Sequence, residues 1–283
     1  SLLTLKVEGL LGGHSGQDID KERQNADLLM ARMIQRLLKE TKGQLVSFNG
    51  GTKDNAIPRE CEASLIYESD EEAAKAEELA CELAETYAEE LTPAEPDFSC
   101  EISCETNRTA EAIPQDAAKE FICAMRLAPN GIQKRNIKMD GFVVVSLNLG
   151  VVRTEEDRIV MIFSPRSSVA SLQEDTKERL NTLAETFGFT VSHSSEYPGW
   201  SFKEDSPVRE ICKESYKELF GEDLKIEAIH AGLECGLFSD AIKGLDAIAI
   251  GPTIANCHTP DEYLTLDSFE RFYEFLKDIL SRL

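Results

Sequence analysis

Three short segments of this 283-residue chain gather the residue types that bind or catalyse. The first is GGHSG at residues 12–16, one histidine between glycines just ahead of an expected helix. Such a loop lets backbone approach a ligand and leaves an imidazole to present a proton or positive charge; it equally suits a turn histidine that caps the helix. The second is HAGLECG at 230–236, where His230, Glu234 and Cys235 follow an expected strand. Ligands of α/β sheets sit at that end of a strand. The third is IGPTIANCHTPDE at 250–262, which repeats the placement around His258. A neutral imidazole beside carboxylates suits a metal ligand, while Asp261 and Glu262 also suit the first turn of a helix, and His258 a surface loop. A separate zinc site from His230, Cys235, Cys257 and His258 requires both loops to converge. The sequence has no GxSxG elbow, P-loop, GxGxxG after a strand or HExxH, and spacing alone does not join histidines 14, 193, 230 and 258 into a complete site.

The elements that must position these residues follow from hydrophobic period and turn signals. Strands are expected at 4–9, 45–49, 56–67 and 98–105, with helices at 20–38 and 69–91. Ser69 caps the second helix, and Pro93 and Pro96 close it. The order then resumes with a helix at 114–127, strands at 142–152 and 158–164, a helix at 168–187 and a strand at 189–194. This β-α-β-β-α-β, α-β-β-α-β order predicts a ferredoxin-like antiparallel sheet with helices on one face. Residues 196–207, EYPGWSFKEDSP, mark a boundary. Beyond it the chain predicts helices at 207–220 and 266–283 and strands at 225–229 and 245–251, the last apolar enough to be buried on both faces of an α/β sheet. About 80 residues are few for a doubly wound domain, so this segment reads as part of a larger one.

Composition narrows the class of partner. With 30 Lys and Arg against 52 Asp and Glu, the formal charge is −22, which repels phosphate backbones and anionic headgroups. Nucleic acid and membrane surface are therefore not expected partners. No window reaches the roughly 18 apolar residues of a membrane span, and residues 1–13 lack the basic and small-residue features of a signal peptide, so a soluble, cytoplasmic protein is expected. The eight cysteines include no CxxC, and Cys100 and Cys104 read as buried or half-buried thiols. A chain that opens on Ser1 and runs at once into a strand suggests an internal domain boundary or a processed start.

Taken together, GLLGGHSGQDIDKERQNA at 9–26, GGTKDNAIP at 50–58, HAGLECGLF at 230–238 and IGPTIANCHTPDEYL at 250–264 resemble the M20 clan of dinuclear metallopeptidases. The last two segments are similar to those of the aminoacyl-histidine (Xaa-His) dipeptidases. The resemblance implies a lid and dimerisation domain at 1–203, a C-terminal part of the catalytic α/β domain at 204–283, a homodimer, a dipeptide substrate, and two divalent ions, zinc first. It gives His14 the stabilisation of the tetrahedral oxyanion, Asn55 and Arg166 the binding of substrate (Arg166 its C-terminal carboxylate), Glu234, Gly251 and Thr253 positions in the substrate cleft, and His258 a metal bond. The family's HxD histidine, bridging aspartate, general-base carboxylates and further acidic ligand have no match in these residues. The resemblance thus implies that this chain alone is inactive, or that it is a non-catalytic dimerisation or ligand-binding relative.

Overall fold

Alternation builds the central sheet. In the first strand, β1 (Leu2–Glu8), Leu3, Leu5 and Val7 are fully buried while the residues between them are half-exposed. The computed structural model describes residues 1–137, 141–194, 199–200, 202–227, 234–255 and 262–283. It divides into two compact units, Ser1–Ser195 and Glu196–Leu283.

In the first unit, β1 is followed by β2 (Gly13–His14), a 3-10 turn (Ile19–Lys21), α1 (Ala26–Glu40), β3 (Gln44–Gly50), β4 (Ala56–Ile57), β5 (Cys61–Ile66), α2 (Asp70–Leu91) and β6 (Ser99–Glu105). The large sheet runs β6-β1-β5-β3, every pair antiparallel, which is the split-βαβ order expected. It continues through α3 (Gln115–Leu127), β7 (Gly131–Asn136), β8 (Phe142–Thr154), β9 (Ile159–Ser167) and α4 (Ala170–Phe187), with β8 meeting β3, β7 and β9. Helix α1 packs on α2 and α3, and α3 on α4. Side chains of α1, α2 and α3 share one core with the inward residues of β1, β3 and β5. The chain is thus α+β, its antiparallel sheet covered by helices.

Local differences from expectation have physical causes. Helix α1 starts at Ala26 rather than near residue 20, because Glu22 takes a left-handed φ of 52° and Asn25 caps, its side chain accepting from the amides of Asp27 and Leu28. The strand expected over 56–67 divides into β4 and β5. No strand forms at 189–194: Gly188 ends α4 in the left-handed region, Phe189 N bonds back to Ala184 O, and the Phe189 ring stacks on Phe187.

The second unit holds α5 (Pro207–Phe220), α6 (Glu234–Ala241), β10 (Ile254–Ala255), β11 (Tyr263–Leu264) and α7 (Leu266–Arg282). Helices α5 and α7 join through Cys212, Phe275 and Ile279, with Tyr216 edge-on to Phe275 at 5.3 Å. The strand expected at 245–251 is absent and Ile250 is 37% exposed; of the strand expected at 225–229, residues 225–227 are not strand and 228–229 lie outside the described residues. A strand needs a neighbour for its N–H and C=O groups, and the described residues offer none to either segment. Among those residues no helix is long and apolar enough to cross a membrane.

Candidate functional site

Two glycine-bearing turns of the first unit meet at His14. Strand β2 pairs with β4, Gly13 opposite Ile57 and His14 opposite Ala56, and Ser15 N donates to Asn55 O at 2.8 Å. This short ladder sets His14 and Asn55 side by side. It lies against β8, where Asn148 donates from Nδ2 to Asp54 O at 3.2 Å and Ala56 O at 2.8 Å. Gly150 makes the approach possible, since a Cβ there would stand 2.5 Å from Asp54 O.

One buried side chain ties both ends of the His14 loop. Glu95, 3% exposed, accepts from Leu11 N at 2.7 Å and from Gln24 N at 2.9 Å. Arg59 Nε adds a bond to Leu10 O at 3.0 Å, and Arg23 donates to Gly12 O. Each satisfies backbone that a loop would otherwise leave to water.

Within the loop, His14 N donates to Asp18 Oδ2 at 2.8 Å, and the imidazole Nδ1 accepts from Gly16 N and Gln17 N, each at 3.1 Å. A ring nitrogen that accepts two N–H groups carries no proton, so the hydrogen of the neutral imidazole sits on Nε2, which is then a donor. Burial pushes the Asp18 carboxyl up, but hydrogen bonds from Lys21 and from His14 N, with the charges of Lys21 and Arg23, outweigh it and hold the group below its ordinary value.

Arg166 arrives from β9, opposite Ser146 of β8. Its Nε donates a long 3.4 Å hydrogen bond to the hydroxyl of Ser15, itself fully buried. Burial pulls the guanidinium down from its ordinary value, and the charge of Asp54, next to Asn55, acts against that. Three residues from distant segments, His14, Asn55 and Arg166, are thereby joined through Ser15 and the turn 54–56. A cleft of about 240 Å³ is lined by Ile19, Arg23, Ile57, Asn130 and Asn148 among others; His14, Ser15, Asn55 and Arg166 are not in its lining.

The remaining expected site residues belong to the second unit. Glu234 opens α6 and is exposed. Gly251 lies in a stretch without helix or strand, and no described residue comes within 4 Å of a Cβ placed on it. Thr253 brackets the start of α7, its N donating to Ser268 Oγ at 2.9 Å and its O accepting from Thr265 N at 3.2 Å. His258, like His230 and Cys257, lies outside the described residues. Cys235 Sγ stands 3.7 Å from Ile248 O. Among the described residues no three His, Cys, Asp or Glu side chains group as a metal site, so they do not by themselves make a two-ion centre. Sequence reasoning passed over Asp18, Glu95 and Asn148; only Asp18, four residues beyond His14 in a turn, carried a local signal.

Comparison with known proteins decides the family. The profile of peptidase family M20/M25/M40 matches residues 42–282. The chain belongs to that family. It is 33% identical over 283 residues to the cytosol non-specific dipeptidase of Escherichia coli (strain K12), a match covering 99% of this chain and 57% of that protein. The crystal structure of aminoacylhistidine dipeptidase from Vibrio alginolyticus superposes with a TM-score of 0.89 at 33% identity, over 100% of this chain and 57% of the other. The chain therefore spans little more than half the length of these M20 relatives.

Proposed function

We propose that this chain is the lid, residues 1–203, and the C-terminal catalytic segment, residues 204–283, of a cytoplasmic, homodimeric M20 dipeptidase that hydrolyses Xaa-His dipeptides. The observation that carries the reading is the convergence of His14, Asn55 and Arg166 on Ser15 and the 54–56 turn. In this reading the half-buried Arg166 guanidinium grips the substrate's terminal carboxylate, a task suited to its planar fork. Asn55, at the exposed turn, supplies polar contacts to the peptide. His14, a neutral Nε2–H donor, meets the oxygen that gains charge as the amide carbon becomes tetrahedral, and donates without having to reorganise. Glu234, Gly251 and Thr253 line the substrate cleft from the second segment. Two divalent ions, zinc in the first instance, supply an activated water when bound, with His258 as this chain's ligand and the other ligands on sequence beyond these residues.

The test is Xaa-His hydrolysis by the product of the whole reading frame that contains this chain, beside the 283-residue chain alone, each with and without added zinc. Zinc-dependent hydrolysis by the first and none by the second is expected. No hydrolysis by either would overturn the proposal and leave a dimerising, non-catalytic relative.

A further inference from the structure

In the proposed function His14 donates from Nε2, and a neutral imidazole in water favours that tautomer only weakly. We propose that Asp18 is a positioning residue that folds the His14–Asp18 turn so that His14 is kept as the Nε2–H tautomer. Asp18 Oδ2 takes the His14 amide at 2.8 Å, and Asp18 N donates back to His14 O at 2.9 Å, so the two residues close a turn through both backbone groups of His14. That closure is what aims the amides of Gly16 and Gln17 at Nδ1. Nδ1 then meets two donors, which the opposite tautomer would turn into two N–H groups facing an N–H.

The carboxylate is held in its turn. Its Oδ1 accepts from Lys21 Nζ at 2.6 Å, with an Arg23 nitrogen at 3.9 Å. Gly13, at a φ of +134°, leaves the room, since a Cβ there would stand 2.6 Å from Asp18 Oδ2. Arg23 also donates to Gly12 O, so the cation beside Asp18 fixes the strand that carries the histidine. Asp18 itself touches no reacting atom in this arrangement; it acts through His14.

The inference rests on the donor role given to His14, but its test does not depend on catalysis. Long-range proton–nitrogen NMR spectra of the folded chain report which imidazole nitrogen carries hydrogen; they would be recorded at about pH 8.5, where free histidine is neutral. The His14 signals are identified by their loss in His14→Gln. In the native chain Nδ1 is expected to resonate as unprotonated and Nε2 as protonated, with a tautomer ratio of about tenfold or more from the two amide bonds. Asp18→Ala should bring the ratio toward that of a histidine in an unfolded peptide, Asp18→Asn should give an intermediate value because its oxygen still accepts the His14 amide, and Asp18→Glu should restore part of the preference. If Asp18→Ala does not fold, the Asn variant carries the comparison. A native His14 with its proton on Nδ1, or a folded Ala or Asn variant with an unchanged ratio, would overturn the proposal. Absence of hydrolysis by the product of the whole reading frame, with the tautomer pattern as expected, would instead count against the dipeptidase reading alone.

Discussion

Arg166 and Ser15 are 151 positions apart in the chain, and the arginine Nε stands 3.4 Å from the serine hydroxyl. Since Ser15 N also holds Asn55 O, one small buried residue links the β9 arginine, the GGHSG loop and the GGTKDN turn. The guanidinium is thus set beside the His14 loop by backbone pairing rather than by an ion pair at close range.

That placement makes Arg166 a binding group in the proposed enzyme. Arg166→Ala is expected to raise KM for dipeptides by about a hundredfold, the loss of a charge-assisted pair of about 3 kcal/mol, with a smaller effect on substrates amidated at the C-terminus. Steady-state kinetics on free and amidated Xaa-His compounds check it; equal losses on both would remove the carboxylate from its role.

Glu95 should matter for folding and for the His14 loop together. Its side chain is buried and its two hydrogen bonds tie backbone at both ends of the loop, so Glu95→Ala is expected to cost about 2–4 kcal/mol of stability, read from urea denaturation. Glu95→Gln keeps one acceptor and should fall between. A cost under about 0.5 kcal/mol, the range of unremarkable surface changes, would mean that the loop holds without it.

A pH dependence follows from Asp27. It is fully buried at the start of α1 beside the Cys61 thiol, and a Cβ on Gly50 would run into both its Oδ1 and the Cys61 sulfur. Burial pushes its carboxyl up from 3.8 to about 7, the Cys61 thiol pulling weakly the other way. The folded chain therefore keeps a proton that the unfolded chain releases. The stability involved is complete below pH 3.8, is lost as pH rises toward about 7, and amounts to about 4 kcal/mol across that interval. Denaturation midpoints of the first unit should fall between pH 5 and pH 7 and change far less in Asp27→Asn. Parallel profiles for the two proteins would contradict the assignment.

The second unit should be the softer one. Among the described residues, fifteen large apolar side chains are exposed within Glu196–Leu283 against five within Ser1–Ser195, including Leu237 and Phe238 on α6 and Ile242 just after it. Amides of α6 and of residues 245–251 are expected to exchange with solvent much faster than those of α1 and β1. Equal protection in both units, measured by hydrogen exchange, would contradict this.

Much of the first unit was legible in its sequence because local signals agreed with the tertiary outcome. Ser69 caps α2 where expected, and Ala73, Ala76, Ala80, Leu83 and Tyr87 make the buried stripe that the period indicates. Strand β7 was missed because GIQKRN has no apolar alternation; pairing with β8 makes it a strand. The apolar run 245–251 signalled a buried strand, yet a strand is a property of two segments, and the described residues hold no second one for it. His14, Asn55 and Arg166 could be picked out by motif. Their joining through Ser15, and the anchoring by Glu95 and Asn148, are long-range contacts that no local pattern encodes.

In the proposed enzyme the GGHSG loop presents a neutral donor to a tetrahedral oxyanion. The most direct measurement is the kinetics of His14→Ala in the product of the whole reading frame, with zinc present and Xaa-His as substrate. A fall in kcat of about 10²–10³ with little change in KM is expected, because the donor acts only as charge develops. An unchanged kcat, or a loss confined to KM, would contradict it.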